Sequence, residues 1–244
     1  MIEWILGLTV LNTVWLIGTW YTKQDEARAL AKIYDQNTEI LNNRTEWLVD
    51  RIDVSHFRLS IHLLIAFFIL SLIFWNYLKI KNIKIQTDNI NTIIPITFLI
   101  LVFCQITIGA FVSGMDAGTI YNSWPLMGNN FYPDDNDYIN LFKLSAFSDP
   151  SLVQFMHRNL AYLILFFYLY VLIKVYKKKL VKMYFVINLL GILLLIQVIL
   201  GILTLMHGAQ IKFASMHQIS SIFLVAASIY FLYINTRSSS QLSG

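Results

Sequence analysis

The stretch 152–173, LVQFMHRNLAYLILFFYLYVLI, decides the fold. It has the length and apolarity of a single bilayer-crossing helix, which needs about 20 residues. His157 and Arg158 interrupt it near its start, and Ala161 follows the histidine by four positions. Positions i and i+4 share a helix face, so the imidazole stands beside a gap. Two other apolar runs repeat the arrangement: His62 with Ala66 in 59–78, and His217 with Ser221 in 213–233. An imidazole over a small residue on each of these helices suits ligation of a flat, bulky metal cofactor.

Working outward, the 244-residue chain is 57% hydrophobic and only 13% charged, the balance of a polytopic membrane protein rather than a soluble domain. Candidate spans are 4–20, 59–78, 93–112, 152–173, 183–206 and 213–233. The expected fold is therefore an all-α integral membrane protein of about six transmembrane helices. The net charge of +4 does not point to nucleic acid, because the basic residues sort by loop. Threading six spans gathers Lys79, Lys81, Lys84, Lys174, Lys177, Lys178, Lys179, Lys182 and Arg237 on one side, with only Asp88 against them. The positive-inside rule makes that side cytoplasmic. Both termini are then cytoplasmic, the long loops 21–58 and 113–151 lie outside, and all three histidines sit near the outer face. The N-terminus has no basic n-region, which predicts an uncleaved first helix. Cys104, the only cysteine, is expected to be a small packing residue and allows no intrachain disulfide.

A weak internal repeat is visible. Gln105-Ile-Thr-Ile-Gly109 in one span matches Gln197-Val-Ile-Leu-Gly201 in another, and each precedes an outer loop and a histidine-bearing helix. The last four spans thus read as two copies of one hairpin, packed as a pseudo-symmetric four-helix bundle whose core is a natural cofactor site. Ala110 and Gly114, at small-xxx-small spacing, allow close helix approach. Residues 21–50 are polar, with Ala27, Leu30, Ala31 and Tyr34 marking a short amphipathic stripe that reads as a surface packing face.

A neutral imidazole deep in an apolar segment needs a donor and an acceptor. One such histidine is most simply hydrogen-bonded to a loop carbonyl or water. Two on repeat-related helices at matching depth, His157 and His217, favour axial ligation of a haem. His62 has the same local pattern and no evident partner in the first span. Arg58 and Arg158 flank the histidines. Arg158 has two readings, a haem propionate partner or a partner in protein or lipid, and Arg58 is more simply an interfacial charge. His56 and His207 read as solvated or capping residues. The outer loop Gly114-Met-Asp-Ala-Gly-Thr-Ile-Tyr-Asn-Ser-Trp-Pro-Leu-Met127, containing Asp116, Tyr121, Asn122 and Trp124, reads either as an interfacial anchor or as a lid over the cofactor.

Four segments, Asp53-Val-Ser-His-Phe-Arg-Leu-Ser-Ile-His62, the 114–127 loop, Val153-Gln-Phe-Met-His-Arg158 and Ala214-Ser-Met-His-Gln218, resemble the haem A synthase family, most closely its alphaproteobacterial and mitochondrial branch. The resemblance runs from about Leu48 to Tyr233. It implies two pseudo-symmetric four-helix halves, each holding a haem near the outer side. Under it, His157 and His217 match the iron ligands of haem B, and His62 matches one ligand of the substrate, haem O, or product, haem A. It also implies an oxidoreductase that converts a methyl group of haem O to the formyl group of haem A for cytochrome oxidase assembly. The expected setting is a bacterial or mitochondrial inner membrane, with haem O synthase or a second copy of the chain as partners. The family's first two helices have no match here, and neither does the outer cysteine pair of some bacterial members. In the family those helices carry the other substrate-site histidine and a nearby glutamate; Glu3-Trp4 is not assigned to that glutamate's motif, and no catalytic residue is assigned. The implied division is 1–57 as an atypical helix plus polar segment, 58–91 as a remnant of the substrate-haem half, and 92–244 as the haem B half. The competing functions are a b-type membrane cytochrome that only transfers electrons and a non-catalytic haem handler.

Overall fold

The computed structural model describes Arg28, residues 55–81 and residues 90–240. The candidate span 4–20 and the stripe Ala27, Leu30, Ala31 and Tyr34 lie outside the described residues. Five described helices are long and apolar enough to cross a membrane. They are α1 (His56–Lys81), α2 (Ile93–Gly114), α3 (Pro150–Lys177), α4 (Tyr184–Met206) and α5 (Ile211–Ser240). Each contains, or all but one residue of, one predicted apolar run. Among the described residues the only β-type pairing is an isolated bridge between Met127 and Asn130. The chain is an all-α, multi-pass membrane protein.

Local chemistry sets the helix ends. Asp149 caps α3 by accepting from the Leu152 backbone N–H at 3.0 Å, and Pro150 occupies the first turn, where its missing N–H costs nothing. The α4–α5 link reverses through Gly208 and Ala209, at φ +64° and +56°. Gly208 adopts that left-handed conformation without the steric cost that Ala209 bears.

Packing is uneven. α5 is the central helix, with 56% of its membrane window buried against 11% for α1. It packs most extensively on α4, while α2 touches α1, α3 and α5. Phe98, Val171, Leu190, Val225 and Phe231 form part of a continuous apolar core. At the lysine-bearing end, the fully buried Asn235 accepts from the Ile90 backbone N–H and donates to the Ile90 carbonyl, both at 3.0 Å. Tyr233 donates to the Leu78 carbonyl at 2.8 Å. These side chains satisfy backbone groups that would be costly to leave bare in an apolar setting.

The opposite end carries the long loop 115–149. It is built from 3-10 turns at Ala117–Thr119, Tyr138–Phe142 and Leu144–Ser148, with a small core of Tyr132, Ala146 and Leu152. Gly114 there approaches α1 so closely that a Cβ would stand 2.9 Å from the His56 Cα, as the small-residue spacing anticipates. The packing role expected of Cys104 is not borne out: it is exposed on the outward face of α2, with Ile100 one turn away also exposed.

Candidate cofactor site at the loop end of the bundle

His62, His157 and His217 each lie about two turns inside the helix ends that face the long loop. The structure brings two of them together. The rings of His157 on α3 and His217 on α5 have centroids 6.5 Å apart and planes 78° apart. His62 is exposed on α1, on a face shared with Arg58, Ile61, Ile65 and Ile69.

Each paired histidine is held by the helix that carries the Gln-x-x-x-Gly repeat. Gln105 on α2 donates from Nε2 to the His157 carbonyl at 3.1 Å, and that nitrogen lies 3.2 Å from His157 Nε2. Gln197 on α4 donates to the His217 carbonyl at 2.9 Å and lies 3.5 Å from His217 Nε2. Gly109 and Gly201 complete the two slots. A Cβ at either would come within 3.0 or 3.1 Å of the facing histidine Cε1. The sequence marked these residues as a repeat but not as part of a site; the signal was their placement one turn apart on the helix preceding each histidine.

Seven buried side-chain atoms have no hydrogen-bond partner among the described residues. Six gather at this end of α2, α3 and α5: Gln105 Oε1, Gln154 Oε1, His157 Nδ1, Arg158 Nε, His217 Nδ1 and Gln218 Oε1. Buried polar atoms are normally paired, and here the unpaired ones concentrate around the two facing histidines. The seventh, His56 Nε2, corrects the solvated or capping role expected of His56, whose ring packs on Phe57 and Phe111. His207 does cap, with Nδ1 2.8 Å from the Leu203 carbonyl.

The loop is tied down over this end. Arg158 donates to the carbonyls of Tyr121 and Ser123 at 2.9 Å and of Leu126 at 3.2 Å. These are partners in the protein, with Arg158 Nε left unpaired among the described residues. Gln154 adds a bond to the Tyr121 carbonyl at 3.0 Å, and Trp124 donates to the Tyr162 hydroxyl at 3.1 Å. With its amide turned to suit its neighbours, Asn122 donates to Thr119 and accepts from the Gly208 N–H, joining the loop to the α4–α5 turn. Asp116 adopts a left-handed conformation at φ +53° and pairs with Arg28. Burial, then the hydrogen bond to Asp134 and the charge of Asp135, pushes the Tyr121 hydroxyl up to about 12. Burial opposes ionisation of Asp135, but hydrogen bonds from Ser151, Asn136 and Tyr121 outweigh it and hold that carboxyl below its ordinary range.

Fold and site together define a class: a polytopic helical membrane protein with paired imidazoles beneath one surface. Comparison with known proteins is specific. Residues 38–229 match the COX15-CtaA family, described as cytochrome oxidase assembly protein. The haem A synthase of Pelagibacter ubique is 44% identical over 189 residues, covering 78% of this chain and 56% of that protein. That of Rickettsia bellii strain OSU 85-389 is 40% identical, covering 75% and 56%, and that of Wolbachia pipientis wMel is 37% identical, covering 80% and 55%. The chain belongs to the COX15-CtaA family. It spans about half the length of the curated relatives it matches.

Proposed function

We propose that this chain carries the haem B-binding half of a haem A synthase, with His157 and His217 as the axial ligands of haem B. Supporting this is the ring spacing. Two imidazole nitrogens about 2 Å from one iron, with each ring centre about 1 Å further out, put the centres roughly 6 Å apart. The 6.5 Å between the two rings fits that requirement. Bound haem B supplies a one-electron redox centre near the outer surface.

The residues of this chain would act around that centre. His157 and His217 hold the iron from opposite helices. The 121–126 loop would cover this end of the bundle, pinned by Arg158 through three carbonyl contacts. His62, on the open face of α1, would serve the substrate side, where a methyl group of haem O would become the formyl group of haem A, a four-electron oxidation that adds one oxygen atom and needs an electron acceptor external to this chain. Arg58, Asp116, Tyr121, Asn122 and Trp124 would shape the outer approach to the two haems. The lysine-bearing end would face the cytoplasm or matrix, with the haem sites near the outer side of the inner membrane and haem O synthase as the source of substrate.

The experiment is expression of the full chain beside a haem O synthase in membranes that otherwise lack haem A. Haem B co-purifying with the chain and haem A appearing in extracts are the expected results. Haem B without any haem A would reduce the function to that of a b-type cytochrome, and protein without haem would remove both.

A further inference from the structure

The two histidine slots are built alike, and their parts imply a purpose beyond packing. At each, one glutamine amide nitrogen grips the histidine backbone carbonyl and lies beside ring Nε2, while a glycine one turn on lets the helix backbone press against ring Cε1. A ring held along that edge cannot turn about its Cβ–Cγ bond without losing the amide or meeting the backbone. The geometry points to Gln105 with Gly109, and Gln197 with Gly201, as positioning residues that set the planes of the two imidazoles and thereby tune the haem iron between them. This rests on the reading that His157 and His217 ligate that iron.

The chemistry follows from how axial imidazoles act on low-spin iron. Each ring donates into the iron orbital perpendicular to its plane, so the angle between planes sets the splitting of the iron d-orbitals. Near-perpendicular rings, such as the 78° pair here, leave those orbitals nearly degenerate and the magnetic response strongly anisotropic. Parallel rings separate them. Hydrogen bonding around a ligand is also a recognised lever on haem potential.

The slots differ in one respect. Ser220 donates to Gln197 Oε1 and, at 2.9 Å, to the His217 carbonyl, bracing the α4–α5 slot. The corresponding position after His157 is Leu160, and Gln105 Oε1 is buried without a partner among the described residues. The α2–α3 slot is therefore the softer one, and its glutamine should be the more sensitive to substitution.

The test is electron paramagnetic resonance and redox titration of the full-length protein purified with its haem B. Gln105→Met and Gln197→Met keep side-chain length and remove the donor; Gln105→Glu keeps the shape and removes the amide N–H. Each is expected to retain low-spin haem B while shifting the largest g value and the midpoint potential, Gln105→Met most and Ser220→Ala least. If a glutamine variant fails to accumulate, Gly109→Ala and Gly201→Ala carry the test, because they leave every glutamine in place and force the ring to move. Unchanged g values and potential in the glutamine and glycine variants, with haem retained, overturn the proposal. Loss of the ligand reading looks different: His157→Ala or His217→Ala would then keep a wild-type low-spin signal.

Discussion

α1 and α3 carry the same local signature, a histidine with an alanine four residues on, yet the structure treats them differently. His157 is enclosed, faces His217, and lies against a glutamine and a glycine from α2. His62 stands exposed among apolar side chains. The sequences of the preceding spans differ as well. α2 and α4 each supply Gln-x-x-x-Gly to the next histidine helix, whereas the run 4–20 that precedes α1 contains no glutamine. Among the described residues, the imidazole over a small residue is enclosed where the neighbouring helix supplies that pair.

The sharpest way to break this contrast is to delete each imidazole. His157→Ala or His217→Ala should abolish bound haem B, and His62→Ala should leave it at the wild-type level, measured as pyridine haemochrome per chain. Equal haem B in all three variants would erase the distinction between the two regions. The gap beside each ring comes next. Ala161→Leu should lower haem B retention roughly tenfold, about 1.4 kcal/mol in binding by the usual conversion, while Ala66→Leu should not change it. Equal effects would mean that the gaps are lipid-facing accidents.

The arginines give a smaller contrast. Arg158→Ala removes charged hydrogen bonds to three loop carbonyls, and such bonds contribute about 1.5–3 kcal/mol each where geometry is good. Because Arg158 is only partly enclosed and the carbonyls can rehydrate, a net loop destabilisation of about 2 kcal/mol is expected. Hydrogen exchange across 119–130 should speed up accordingly, while Arg58→Ala, on the exposed α1 face, should leave it unchanged. The smallest effect concerns pH. Tyr121 has its value raised from 10.0 to about 12, so its contribution to loop stability is fully present below pH 10 and is lost as pH rises through about 12. The tyrosinate absorbance difference between wild type and Tyr121→Phe should appear near pH 12; a step near pH 10 would show that the burial and the Asp134 contact do not hold in solution.

The helices were legible because membrane spans announce themselves by length and apolarity, and all five described helices match predicted runs. The pairing of His157 with His217 was legible through the repeat, since duplication places equivalent residues symmetrically. Other parts were hidden for physical reasons. Arg158 finds its partners 32 to 37 residues away in a loop whose path no periodicity encodes. Gln105 and Gln197 read as repeat markers, because a polar residue in a span does not declare which neighbour it faces. Cys104 read as packing, though an apolar run does not distinguish the inner from the outer face of α2. The ion pair of Asp116 with Arg28 joins positions 88 residues apart, which no local pattern announces.

The most direct measurement is a ligand exchange followed by near-infrared magnetic circular dichroism of the purified, haem B-loaded protein. The charge-transfer band there reports the pair of axial ligands. The wild type should show the bis-imidazole band, and His217→Met should move it to the imidazole–thioether position. A band that stays where it was in His217→Met would contradict the placement of haem iron between residues 157 and 217.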